Sequence, residues 1–187
     1  MMRLFLAIDI PAGIREQVAA ARDRLARGVK GVKWVEDHNL HLTLKFLGGV
    51  PEERVGDIAD AVKKAVAGYH VFKLEVGGPG FFSHNGNPRV VWLDIRGDTE
   101  YALNIGTAID ESLVPFGFAP DKRRRLHLTL GRIRAEGSNP NLMKNIKDFQ
   151  GFLEKPAFKV EEVVLYSSEL TSSGPIYSAV DKFVLND

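Results

Sequence analysis

Two copies of one tetrapeptide, His41-Leu42-Thr43-Leu44 and His127-Leu128-Thr129-Leu130, hold the residues of this chain best suited to chemistry. Polar and apolar residues alternate in each copy, the period-two pattern of a strand with one buried face. His and Thr then project together, and both leucines go to the core. Same-side residues on a strand lie roughly 6.5–7 Å apart, so one His-x-Thr pair can present an imidazole and a hydroxyl to a single phosphate-sized group. Two such strands facing each other would hold that group from both sides. With an ordinary pKa of about 6.5, imidazole lets a neutral base and a protonated acid coexist near neutral pH. A histidine pair therefore suits in-line displacement at phosphorus, one ring taking a proton from water and the other giving one to the leaving oxygen. The hydroxyls of Thr43 and Thr129 would donate to the non-bridging oxygens as charge develops.

Other chemistries find less support. The chain has no cysteine, which removes thiolate nucleophiles, disulfides and cysteine-bound metals, and no serine sits in a recognisable motif with histidine. His-x-Thr offers one good metal ligand per strand where three or four must converge, so neither a metal nor a cofactor is expected. Lys45 shares the parity of His41 and Thr43, which suits either a phosphate contact or a solvated lysine. Arg132 is out of parity with Thr129 unless Gly131 bulges the strand and turns the guanidinium inwards, where it would bind phosphate. Phe82, with Phe81, falls in the Gly- and Pro-rich stretch 77–89, expected to be a surface loop, and would stack a base or anchor that loop. The run Lys122-Arg123-Arg124-Arg125 leads into the second motif, where it would steer an RNA backbone or form a solvated loop. Trp34 and Trp92 are expected to pack between sheet and helix, and His38, His70 and His84, which have no duplicated partner, at the surface.

The elements that must position these residues repeat. The offset of 86 between the histidines also sets Phe72–Val76 on Phe158–Glu162 and Arg3–Leu6 on Arg89–Trp92, all strand-like. Helices are expected from Pro11 to about Arg27, Pro51 to Ala67, about Thr99 to Val114, and Asn139 to Phe149. Each half thus runs strand, helix, His-x-Thr strand, helix, strand. A duplication follows, with one bilobal domain over 1–187 and halves of about 1–86 and 87–187. The expected fold class is α+β, a pseudo-two-fold pair of antiparallel sheets flanking a central cleft with helices outside. At 187 residues and 44% hydrophobic content the composition is that of a globular protein. No apolar run approaches the roughly 18 residues of a membrane span, and Leu4–Ile8, broken by Asp9 and Pro11, suits a first strand better than a signal peptide. A cytoplasmic monomer is expected. The net charge of +1 gives no global attraction to nucleic acid, so such binding would need a local basic patch.

The stretch Trp34 to Gly48, with Val50-Pro51-Glu52-Glu53, resembles the two-histidine phosphoesterases, specifically the bacterial and archaeal RNA 2',3'-cyclic phosphodiesterases once called 2'-5' RNA ligases. Pro88–Leu93, His127–Arg132, Tyr166–Leu170 and Gly174–Tyr177 extend the resemblance over nearly the whole chain. It implies metal-independent hydrolysis of a 2',3'-cyclic phosphate, on RNA ends or nucleotides, to a 2'-phosphomonoester, with weak reversible 2'-5' ligation. It also implies His41 as proton donor and His127 as proton acceptor, an assignment that the symmetry of the halves leaves open. Two alternatives stand beside it: a non-catalytic nucleotide- or RNA-binding module, and a related phosphodiesterase acting on 2'-5' oligonucleotides or sugar-nucleotide cyclic phosphates.

Overall fold

The four motif leucines, Leu42, Leu44, Leu128 and Leu130, are at most 2% exposed and belong to one continuous core. In this computed structural model, which describes residues 1–84, 86–134, 139–149, 156–172 and 174–187, they lie on strands β3 (His41–Val50) and β6 (His127–Ile133). One antiparallel sheet has the order β3-β1-β8-β9, from β1 (Met2–Asp9), β8 (Glu162–Leu170) and β9 (Pro175–Val184). The other runs β2-β6-β5-β4-β7, from β2 (Val32–Trp34), β5 (Asn87–Gly97), β4 (Phe72–His84) and β7 (Ala157–Val160). The helices are α1 (Ala12–Ala26), α2 (Val55–Val66), α3 (Thr99–Leu113) and α4 (Pro140–Lys147), close to the spans expected. Ile58, Ala59, Val62 and Val66 of α2, and Ala102, Ile105, Ile109 and Leu113 of α3, are spaced by three to four residues and bury one face each. Both faces meet the motif leucines in the core, which leaves the opposite face of each sheet to His and Thr. The fold is α+β with two antiparallel sheets, as expected.

Several sequence expectations change. Most of 77–89 is the β4–β5 hairpin, from Gly80↔Trp92 to His84↔Asn87, although Asn85 lies outside the described residues. Gly80 there serves close packing, since a Cβ on it would stand 2.2 Å from the Trp92 ring. Asp9 lies opposite His41 and Asp94 opposite His127, so β1 and β5 correspond one residue out of step with the 86-residue offset. Phe72–Val76 and Phe158–Val160 are neighbours rather than equivalents, since Phe72 pairs with Val160. Runs of β-branched and aromatic residues mark a strand but carry little information about its register.

Bulges set which residues reach the cleft. Register shifts opposite Leu44 in β3 and Leu130 in β6 each add one residue and reverse the parity beyond it. Arg132 is thereby turned out of the core, and Gly131 is buried where a Cβ would stand 2.8 Å from Val32. In β3 the same device buries Lys45, 6% exposed and so not a solvated lysine, although it borders the cavity that Thr43 and His127 line. Its Nζ lies 2.5 Å from Asp110 Oδ1 and donates to the Ala119 carbonyl, while Arg124 pairs with Asp110 Oδ2 at 2.5 Å and donates to the Leu44 carbonyl. Burial pushes the Asp110 carboxyl up, but hydrogen bonds from Lys45, the Asp121 N–H and Arg124 outweigh it and hold it low. This network ties the first motif strand to α3 and to the segment entering the second. Asp110→Ala leaves two cations buried without a counter-charge and should cost about 3–5 kcal/mol. Urea unfolding should show that loss as a lower midpoint with an unchanged slope.

Candidate active site

The two histidines are mounted alike. His41 Nδ1 lies 2.7 Å from the Asn39 carbonyl, and His127 Nδ1 lies 2.8 Å from the Arg125 carbonyl, in each case two residues upstream. A carbonyl only accepts, so both Nδ1 atoms carry the hydrogen and both Nε2 atoms are the ones left to exchange a proton. His41 Nε2 is 3.0 Å from the Thr43 hydroxyl. β3 and β6 approach each other across the gap between the sheets, which brings the rings close enough for the charge of His127 to act on His41.

Burial drives both rings below the ordinary imidazole value. At His41 the Asn39 carbonyl and the Asp9 charge oppose that fall, while Arg132 and His127 add to it. At His127 the Arg125 carbonyl opposes it, and the charges of Arg125 and Arg132 add to it. Phe5 packs 4.9 Å from the His41 ring and Tyr177 meets it edge-on at 5.3 Å. Phe82 meets His127 edge-on at 4.8 Å. Phe82 is therefore a wall of the site rather than a loop residue.

The charge run before the second motif divides by role. Arg124 enters the buried network, whereas Arg125 lies over Trp92 at 4.6 Å and Phe82 at 5.5 Å, with Arg123 beside it in a cavity lined by Thr43, Phe46, Phe82 and His127. Trp92 thus faces the cleft, not a helix, because it shares a face with its cross-strand partner Thr129. A second cavity is lined by Arg3, Phe5, Phe46, Arg132 and Tyr177, and a third by Lys33, Trp34, Asn39, Arg132 and Arg134, which places Trp34 at a rim. Six cations from separate parts of the chain so make the local basic patch that the net charge concealed. His38, His70 and His84 are exposed and line none of these cavities. Among the described residues no three His, Asp or Glu side chains converge as a metal site. Sequence reasoning missed Asp9, Asp94, Tyr166 and Tyr177, whose nearness to the histidines depends on cross-strand register.

A family model described as LigT-like phosphoesterase matches residues 8–92 and 96–177. Proteins named RNA 2',3'-cyclic phosphodiesterase are similar over the full length: that of Methanothermobacter thermautotrophicus is 35% identical over 184 residues, covering 98% of this chain and 99% of the relative. That of Archaeoglobus fulgidus is 36% identical over 184 residues, covering 97% and 99%. Among solved structures, a Thermus thermophilus protein superposes with a TM-score of 0.77 at 29% identity, covering 98% of both chains. E. coli LigT complexed with 3'-AMP superposes with a TM-score of 0.77 at 25% identity, covering 100% of this chain and 99% of the other. With matches of this extent, the chain belongs to the LigT-like phosphoesterase family.

Proposed function

We propose that this chain hydrolyses a 2',3'-cyclic phosphate, on an RNA end or a nucleotide, to a 2'-phosphomonoester. His127 takes the proton of the attacking water, His41 gives one to the leaving 3'-oxygen, and Thr43 and Thr129 donate to the non-bridging oxygens. Arg132 neutralises the phosphate, and Phe82 flanks the base. The observation that carries this is the duplicated mounting, in which two Nδ1–H groups are tied to upstream carbonyls and two Nε2 atoms are left for proton transfer. The relatives named RNA 2',3'-cyclic phosphodiesterase, and the LigT structure holding 3'-AMP, support the same substrate class. The same displacement with a 5'-hydroxyl attacking in place of water, its proton going to His127 and the 3'-oxygen again leaving with one from His41, would give the weak 2'-5' ligation, and its reverse would restore the cyclic phosphate. A duplicated origin, with one bilobal domain over 1–187, is supported by the matched motif bulges and by the sheet orders, in which β8 neighbours β1 as β4 neighbours β5. A monomer in the cytoplasm is part of this proposal; among the described residues, no helix is long and apolar enough to cross a membrane.

The test is incubation with 2',3'-cyclic nucleotides and a cyclic-phosphate RNA in EDTA, with the product isomer identified. A 2'-phosphomonoester should form at an undiminished rate, because imidazoles and hydroxyls supply the chemistry. Loss on chelation, restored by a divalent ion, would overturn the mechanism, and tight binding without turnover would identify a binding module.

A further inference from the structure

Each histidine has a carboxylate directly across the strand. Asp9 of β1 pairs with His41, and Asp94 of β5 pairs with His127. Opposite residues in an antiparallel pair share a face, with Cβ atoms about 4.5–5.5 Å apart. The duplicated motif thus extends to a duplicated His/Asp pair, but the two carboxylates are held differently. Asp9 accepts from the Tyr166 hydroxyl through both oxygens, at 2.6 and 2.8 Å. The Tyr166 ring stacks on Phe5 at 5.3 Å, and Phe5 in turn packs against His41. Asp94 instead faces Arg96 at 3.6 Å. The hydrogen bonds of His41 go to Asn39 and Thr43, so Asp9 acts on it through space, as a negative charge that Tyr166 keeps in place.

We propose that Asp9, clamped by Tyr166, is a positioning residue that holds the proton on His41 and so makes His41 the acid and His127 the base. The assignment rests on the two-histidine reading of the site. The charged groups acting on His41 are Asp9 from β1 and Arg132 and His127 from β6, and Asp9 alone of these favours the protonated ring. At His127 the acting charges are Arg125 and Arg132, both positive, which suits a base that must start neutral. Arg15 and Glu162 act on Tyr166, and Lys182 lies within the field of Asp9. The two halves share one motif, and the clamped carboxylate is what distinguishes them.

The experiment is proton NMR titration of the histidines in the substrate-free protein, paired with kcat/KM against pH. In Asp9→Asn the His41 midpoint should fall by about half a unit or more while that of His127 holds. The limb of the pH–rate profile that NMR assigns to His41 should move with it. Asp94→Asn should leave His41 unmoved, and Tyr166→Phe, which keeps the charge but frees its position, should lower the His41 midpoint by less than Asp9→Asn does. An unmoved His41 in Asp9→Asn, or an equal fall at both histidines, overturns the proposal. If Asp9→Asn does not fold, an unmoved His41 in Tyr166→Phe overturns it instead. Titration needs no substrate, so a shift seen in an inactive protein would refute the enzyme reading alone.

Discussion

His41→Ala and His127→Ala should each cut turnover of a 2',3'-cyclic nucleotide by about 10²–10⁴-fold, the usual contribution of a general acid or base. That range corresponds to roughly 2.7–5.5 kcal/mol of barrier. The double variant should be less than multiplicatively worse, because the two rings serve one proton inventory. Both rings are lowered by burial, so in the free enzyme the proton on His41 is lost below the ordinary midpoint of about 6.5. kcat/KM should therefore already be falling as pH rises through neutral, since a group with a lowered midpoint is protonated only on its acid side. A bound cyclic phosphate brings a negative charge that favours imidazolium, so the descending limb of kcat should lie at higher pH. Steady-state rates of both variants against pH are the check. Near-wild-type turnover in either would contradict the two-histidine scheme.

Thr43→Val and Thr129→Val keep shape and strand propensity while removing one hydroxyl each. Loss of an oxyanion-type donor costs on the order of 10²–10³ in rate. The loss should appear in kcat more than in KM, because the hydroxyl matters most as charge builds on the phosphate. Thr43→Val should be the worse of the two, since that hydroxyl is also 3.0 Å from His41 Nε2 and orients the ring. Measuring kcat and KM on one cyclic nucleotide decides between the roles: an unchanged kcat in both would leave the threonines as strand residues and shift the phosphate to Arg132.

The two motif strands were legible because each shows a clean period of two over four residues, and the leucines could only be satisfied in the core. Arg132 was legible conditionally, through the bulge that Gly131 suggested. Lys45 was not, because the equivalent bulge at Leu44 carries no glycine signal, and its partner Asp110 lies on a distant helix. Trp92 was misplaced for a related reason: an aromatic in a strand packs equally well on either face, and only its pairing with Thr129 sets it in the cleft. Asp9 and Tyr166 come from strands joined to the motif only through the sheet, so no local pattern announces them.

The two histidines divide the labour of proton transfer, and the leaving group is where that division shows. A nucleoside 2',3'-cyclic phosphate whose bridging 3'-oxygen is replaced by sulfur keeps the ring and its charge, but thiolate departs without a proton. Turnover of this substrate and of its oxygen parent should be compared in the wild type, His41→Ala and His127→Ala. His41→Ala should recover most of its loss on the sulfur substrate while His127→Ala stays impaired on both. Equal impairment of the two variants on both substrates would contradict it.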